Sequence, residues 1–166
     1  MKVGFIGTGL MGAPMIKNLL KSNNKISIFN RTIKKAKKLE KYGAIVSINI
    51  DQLVKDKDVV ITMLTDDKAV NEIISTKFLQ NINTKTTVID MSSTKPITAL
   101  NNYKKLKKLG VDFLDAPVSG GTKGAENASL AIMVGGDKNI FQKNLKILKL
   151  LGTPNYVGKA SSGQAT

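Results

Sequence analysis

Apolar residues fall into two alternating rhythms along the 166-residue chain. A short run, Val3-Gly-Phe-Ile6, gives way to Leu10, Met11, Ala13, Ile16, Leu19 and Leu20 at helical spacing. Continuous or period-two runs predict strands, and spacings of three and four predict helices. Lys25-Ile-Ser-Ile-Phe29 alternates and predicts a second strand. Ile33, Ala36, Leu39 and Tyr42 recur every third residue and predict one amphipathic helix stopped by Gly43. A short strand over Ala44–Ser47 and a short helix over Asp51–Lys55 follow. Asp58-Val-Val-Ile-Thr-Met-Leu64 is nearly continuous in apolar residues, as suits a central strand buried on both faces. Beyond it the pattern predicts a helix over Asp66–Ile74, a strand over Thr86–Asp90, and a helix from Pro96 to Leu109 ended by Gly110. A strand over Val111–Leu114, a turn-rich loop over Pro117–Gly124 and a strand over Leu130–Val134 come next. Asp137 is expected to cap one helix with Ile140, Phe141, Leu145, Leu148 and Leu151 on its apolar face. Asn155–Gly158 is the last expected strand. Strands alternating with helices predict an α/β fold: one domain, a doubly wound and mostly parallel sheet.

In such a sheet ligands collect outside the carboxyl ends of the strands. Gly7-Thr8-Gly9-Leu10-Met11-Gly12 joins the first strand to the first helix as G-x-G-x-x-G. Gly7 allows the tight turn, Gly9 lets backbone approach a pyrophosphate, and Gly12 lets the helix pack on the strand. The helix N-terminus turns free N–H groups toward the phosphates. Thr8, Leu10 and Met11 share that turn and are expected to touch the nucleotide. After the second strand, where an acidic residue would bind the ribose 2′-hydroxyl of NAD, stands Asn30-Arg31-Thr32. A guanidinium accepts a 2′-phosphate that a carboxylate would repel, which favours NADP over NAD. Met63-Leu64-Thr65 is expected to pass close to the cofactor. Ser92-Ser93-Thr94 sets three hydroxyls before a helix, either to cap it or to contact the nicotinamide side. Ser119-Gly120-Gly121 offers a hydroxyl and bare backbone N–H groups to a carboxylate, unless it is an ordinary glycine turn.

Composition narrows the chemistry. There are no cysteines and no histidines, so neither a disulfide nor a typical zinc site is expected and no metal is assigned. Acid–base work falls to Lys, Tyr or a carboxylate. The net charge is +14, from 26 basic and 12 acidic residues. The lysines interleave with apolar residues, as in Lys34-Lys35-Ala-Lys37-Lys38, which reads as solvated helix faces. Arginine, preferred for base and phosphate contacts, occurs once. Nucleic acid is therefore not the expected partner. No apolar stretch reaches the roughly 18–20 residues of a membrane span, and no signal peptide is expected, since the opening apolar run is short and broken by Gly7 and Gly9. No membrane association and a cytoplasmic location are expected.

Together these segments resemble the β-hydroxyacid dehydrogenase family, typified by 3-hydroxyisobutyrate dehydrogenase. The N-terminal half of that family is the NADP-binding Rossmann domain of the 6-phosphogluconate dehydrogenase type. Val3–Leu19 is similar to its opening signature, and Asp115-Ala-Pro-Val-Ser-Gly-Gly121 to its substrate-binding loop. Asp90–Pro96 resembles D-x-S-T-x-x-P, with Ser93 replacing the threonine near the nicotinamide, and Met63-Leu64-Thr65 resembles M-L-P. The resemblance implies a hydride transfer between nicotinamide and a small 3-hydroxy acid or its semialdehyde, with Ser119, Gly120 and Gly121 on the substrate carboxylate. Hydroxyisobutyrate, tartronate semialdehyde, succinic semialdehyde and glyoxylate reductases share these motifs, so no single substrate is chosen. Ser161-Ser-Gly-Gln-Ala-Thr166 resembles the G-x-G-x-x-x-K segment, whose catalytic lysine would follow Thr166; no catalytic residue is assigned within the chain. Lys123 and Lys159 lie near the right loops without a motif to support them. The expected division is a dinucleotide-binding domain over 1–160 and, over 161–166, the start of a segment leading to a helical domain absent from the chain. A homo-oligomeric parent and a chain that binds NADPH but barely turns over are implied. The alternative is a non-catalytic dinucleotide-binding or interaction module.

Overall fold

The computed structural model describes residues 1–166. Six strands form its parallel heart: β1 (Lys2–Ile6), β2 (Lys25–Phe29), β3 (Ile45–Val46), β4 (Val59–Thr62), β5 (Thr87–Asp90) and β6 (Asp112–Asp115). They lie in the order β3-β2-β1-β4-β5-β6, every neighbouring pair parallel. The order reverses between β1 and β4, which opens a crevice at their carboxyl ends. Beyond β6 come β7 (Val118–Ser119), β8 (Leu130–Gly135) and β9 (Gly152–Gly158). β8 runs antiparallel to both β6 and β7, with Asp115 opposite Gly135 and Val118 opposite Ile132, while β9 pairs parallel to β8.

The apolar runs make both faces of this sheet dry. Val3, Phe5, Ile26, Ile28, Val59, Ile61 and Ile89 point to one face, where they meet α1 (Gly12–Leu20), α2 (Ile33–Lys37), α7 (Gly121–Glu126) and α9 (Leu145–Lys149) in a core of 23 buried residues. Ile6, Val60, Val88 and Phe113 point the other way, into a core of 12 buried residues shared with α3 (Ile50–Val54), α4 (Asp67–Ile73), α5 (Thr76–Asn81) and α6 (Pro96–Lys108). Because side chains alternate along a strand, one continuous apolar run supplies both layers.

The doubly wound architecture agrees with the sequence pattern, and several local details do not. The expected helix over 33–42 is a short α2 followed by a 3-10 turn, Glu40–Tyr42, closed by Gly43 at φ +102°. Lys34 faces Lys37 and Lys38 one turn on, and that like-charge crowding weakens a longer helix. The expected helix after Asp137 is two, α8 (Lys138–Lys143) and α9, and Asp137 makes no side-chain capping bond. Buried Asn144 interrupts it, spending its amide on the Ile140 carbonyl at 2.9 Å and on Thr87 Oγ1 at 3.3 Å. The segment expected as a loop over 117–124 contains β7 and the start of α7, turned by Gly120 at φ +136° and Gly121 at φ +62°. Strand β9 begins at Gly152, not Asn155, since an edge strand tolerates Pro154. β4 ends at Thr62, which releases Met63 and Leu64 into the loop.

Candidate functional site

The glycine turn sits at the carboxyl end of β1, where the strand order reverses. Gly7 adopts φ +108° and donates its N–H to the Phe29 carbonyl at 2.9 Å, tying the turn to the end of β2. A Cβ on Gly7 would strike the Met63 carbonyl oxygen, and one on Gly12 would strike the Gly7 carbonyl oxygen. Gly9 differs: a Cβ there would meet no protein atom within 4 Å. Two of the glycines thus serve close packing, and the third leaves an open approach to the backbone. The N–H groups of Gly9, Leu10 and Met11 make no hydrogen bond within the chain. Thr8 donates its N–H to Asn30 Oδ1 at 2.9 Å, while its buried Oγ1 has no partner.

A cleft beside this turn gathers Gly7, Gly9, Asn30, Arg31, Thr32, Met63, Leu64 and Thr65. Three separate loops expected to meet one ligand therefore do converge. Asn30 is the exception in role: Oδ1 holds Thr8 and Nδ2 donates to the Thr32 carbonyl at 3.0 Å, so its side chain is spent on the protein. Arg31 and Thr32 are exposed. Lys35, missed in the sequence, lines the same cleft; its place in the first turn of the helix that follows Arg31 is the signal that could have found it. Thr8 and Leu10 line a neighbouring groove against α1 and α2, together with Lys17, Lys35, Lys38 and Lys41. Met11 and Gly12 line neither.

Ser93 and Ser119–Gly121 lie outside that cleft, Ser93 in the loop after β5 and Ser119–Gly121 at the turn from β7 into α7. The three hydroxyls at 92–94 do not cap α6, whose N-cap position is Lys95 with no side-chain capping bond. Asp67 on α4 takes the capping place instead, accepting the Lys95 N–H at 2.9 Å and the Thr98 hydroxyl at 2.5 Å, and these bonds hold its carboxyl below the usual range. Ser92 is buried, whereas Ser93 is exposed and free of hydrogen bonds. Ser119, Gly120 and Gly121 are exposed, and the Gly120 N–H makes no bond within the chain. Asn18 of α1 donates to the Ala125 carbonyl of α7 at 2.6 Å, fastening the helix after the first loop to the helix after this one.

Two carboxylates lie beneath the loops, side by side at the ends of β5 and β6. Asp90 Oδ1 accepts Thr62 Oγ1 at 2.9 Å and the Ser92 N–H at 3.1 Å, while Oδ2 is buried without a partner. Burial pushes its pKa up to about 6, against the pull of those hydrogen bonds. Burial also raises the pKa of Asp115, against the pull of the backbone N–H groups of Gln164 and Ser161, which stabilise its charge. In the sequence both stand only as the first residues of the Asp90–Pro96 and Asp115–Gly121 segments; a carboxylate closing an apolar strand was the available sign. No helix is long and apolar enough to cross a membrane.

Residues 2–159 match the family model described as the NAD binding domain of 6-phosphogluconate dehydrogenase. An uncharacterized oxidoreductase of Bacillus subtilis, YkwC, is 38% identical over 99% of this chain and 58% of its own length. The 2-hydroxy-3-oxopropionate reductase of Escherichia coli is 37% identical over 99% of this chain and 57% of its own. Among solved structures, the Mycobacterium tuberculosis 3-hydroxyisobutyrate dehydrogenase with L-serine superposes with a TM-score of 0.95 at 34% identity, over 99% of this chain and 56% of that one. The chain thus spans little more than half the length of these relatives, which bear out the resemblance to 3-hydroxyisobutyrate dehydrogenase-like enzymes. With its strand order, its glycine turn and a match over nearly all its residues, the chain belongs to the NAD binding domain family of 6-phosphogluconate dehydrogenase.

Proposed function

We propose that the chain is the dinucleotide half of an NADP-preferring β-hydroxyacid dehydrogenase or semialdehyde reductase. The observation that carries this reading is the cleft at the open glycine turn, with Arg31 and Lys35 on it and no carboxylate at positions 30–32. The residues present fit the cofactor. Free N–H groups at Gly9, Leu10 and Met11 and the end of α1 suit a pyrophosphate, and the orphaned Thr8 hydroxyl suits a phosphate oxygen. Arg31 and Lys35 would grip a 2′-phosphate by charge-assisted hydrogen bonds. Met63, Leu64 and Thr65 would wall the cofactor, and Ser93 would face the nicotinamide.

When bound, the nicotinamide supplies the hydride acceptor and donor at C4. Ser119, Gly120 and Gly121 would orient the substrate carboxylate, which lowers the entropic part of the barrier. Exchange of the hydroxyl proton is assigned to none of residues 1–166; Lys123 and Lys159 are both exposed, and no contact directs either one to the loops. In this reading residues 1–160 are the dinucleotide-binding domain and 161–166 open the segment toward a helical half. A small hydroxy acid or semialdehyde as substrate, a homo-oligomeric parent and a cytoplasmic location belong to the same proposal.

Calorimetric titration with NADPH and NADH tests it. NADPH is expected to bind more tightly, and Arg31→Asp to weaken NADPH by about 10- to 100-fold while sparing NADH. Unchanged NADPH affinity in that variant would overturn the 2′-phosphate assignment. The chain alone is expected to reduce a small semialdehyde no faster than background, and robust turnover would contradict the placing of proton transfer outside these residues.

A further inference from the structure

The last turn of the chain is bonded to two of the loops that carry candidate site residues. Asp115 closes β6, and its carboxylate accepts the Ser161 N–H through Oδ1 at 2.8 Å and the Gln164 N–H through Oδ2 at 3.0 Å. Gly163 lies between them with no room for a side chain: a Cβ would come within 2.5 Å of the Met133 carbonyl oxygen and 2.8 Å of Asp115 Oδ2. Gly135, across from Asp115, is as confined, since its Cβ would stand 2.6 Å from Asp115 Oδ1. Ser161 is held in the left-handed region at φ +76° to bring its N–H onto the carboxylate. Gln164 then reaches to the loop after β5. Its Oε1 accepts the Thr94 N–H at 3.0 Å, and its Nε2 donates to the Ser92 carbonyl at 2.7 Å.

Both ends of one amide thus grip the residues on either side of Ser93. Ser92 is fastened elsewhere as well, donating its N–H to Asp90 and accepting the Leu64 N–H at 2.8 Å. Strands β5 and β6 pair through their own ladder, so the Gln164 contacts order the loop rather than the sheet. A bidentate amide fixes orientation as well as distance.

We propose that Asp115 and Gln164 are positioning residues for the nicotinamide end of the cofactor. Asp115 holds the turn over 161–164, and Gln164 uses that turn to set the loop that presents Ser93. This rests on the reading of Ser93 as the nicotinamide contact.

Two probes separate the halves of the cofactor: NADPH, and 2′-phospho-ADP-ribose, which has every group except the nicotinamide. In Gln164→Leu, which keeps the bulk and removes both bonds, NADPH is expected to bind about 5- to 10-fold more weakly. The affinity for 2′-phospho-ADP-ribose stays the same, and the fluorescence change of the bound nicotinamide is reduced. Asp115→Asn, which retains one acceptor oxygen, moves both NADPH readouts the same way by less. Equal weakening of both probes would assign the residues to general folding and overturn the proposal, as would unaltered NADPH affinity and fluorescence. A wild-type chain that binds 2′-phospho-ADP-ribose but shows no nicotinamide fluorescence change overturns the Ser93 contact. One that binds neither probe overturns the cofactor reading itself.

Discussion

Asp90 is a buried acid with one oxygen bonded and one bare, and its energetics follow from that asymmetry. Its folded-state pKa of about 6 lies above the ordinary 3.8. Between those values the folded chain keeps a proton that the unfolded chain has lost, so stability falls as pH rises through this window and levels off above it. From pH 4.5 to pH 8 the loss attributable to Asp90 is about 2 kcal/mol. Asp90→Asn keeps an oxygen for Thr62 and Ser92 and carries no charge. Urea unfolding at the two pH values is expected to show the variant gaining about that amount on the wild type between pH 4.5 and pH 8. A difference between wild type and variant that does not change with pH would mean that Asp90 ionises normally.

Elements are held together here by apolar packing and, in places, by a single buried polar group. Asn18 spans α1 and α7, bonding the Ala125 carbonyl at 2.6 Å from a buried position. Asn18→Leu leaves that carbonyl without its partner and is expected to cost about 1–3 kcal/mol in chemical denaturation. Loss of only a few tenths would show that α7 shifts to find water. Phe5, fully buried on β1 beneath the glycine turn, contacts the first core, and its ring is one reason Gly12 must lack a side chain. Phe5→Ala is expected to cost about 3–5 kcal/mol by the same measurement, since the sheet and α1 close poorly over the cavity.

For the molecule as a whole, the +14 charge acts as a field rather than as a set of contacts. Lys17, Lys35, Lys38 and Lys41 line the groove beside the glycine turn, with Lys17 4.6 Å from the centre of the Tyr42 ring. Such a field would draw in an anionic dinucleotide approaching that end of the sheet. Stopped-flow association of NADPH is expected to slow about tenfold as ionic strength rises from about 0.02 to 0.3 M, with a much smaller change in dissociation. A salt-independent association rate would remove any steering role for these lysines.

The alternating rhythm of the chain was enough to place the six strands that the fold pairs in parallel, helices on both faces and a glycine turn after the first strand, because periodicity and glycine chemistry are local properties. Arg31 and the Met63–Thr65 segment were legible for the same reason, although the strand before Thr65 was expected to run on to Leu64. Other features depended on contacts between distant residues. Asn144 splits a helix because Thr87 lies beside it in space, and Gly152 extends an edge strand because Leu130 lies against it. Asn30 turned inward to Thr8, an outcome no spacing encodes. The partnership of Asp115 with Ser161 and Gln164 joins positions nearly fifty residues apart, and Gln164 reaches Ser92 across more than seventy. Local rules could place each of these residues on its loop. Only the folded sheet, by bringing the strand ends together, decided which loops would share hydrogen bonds and which side chains remained free for a ligand.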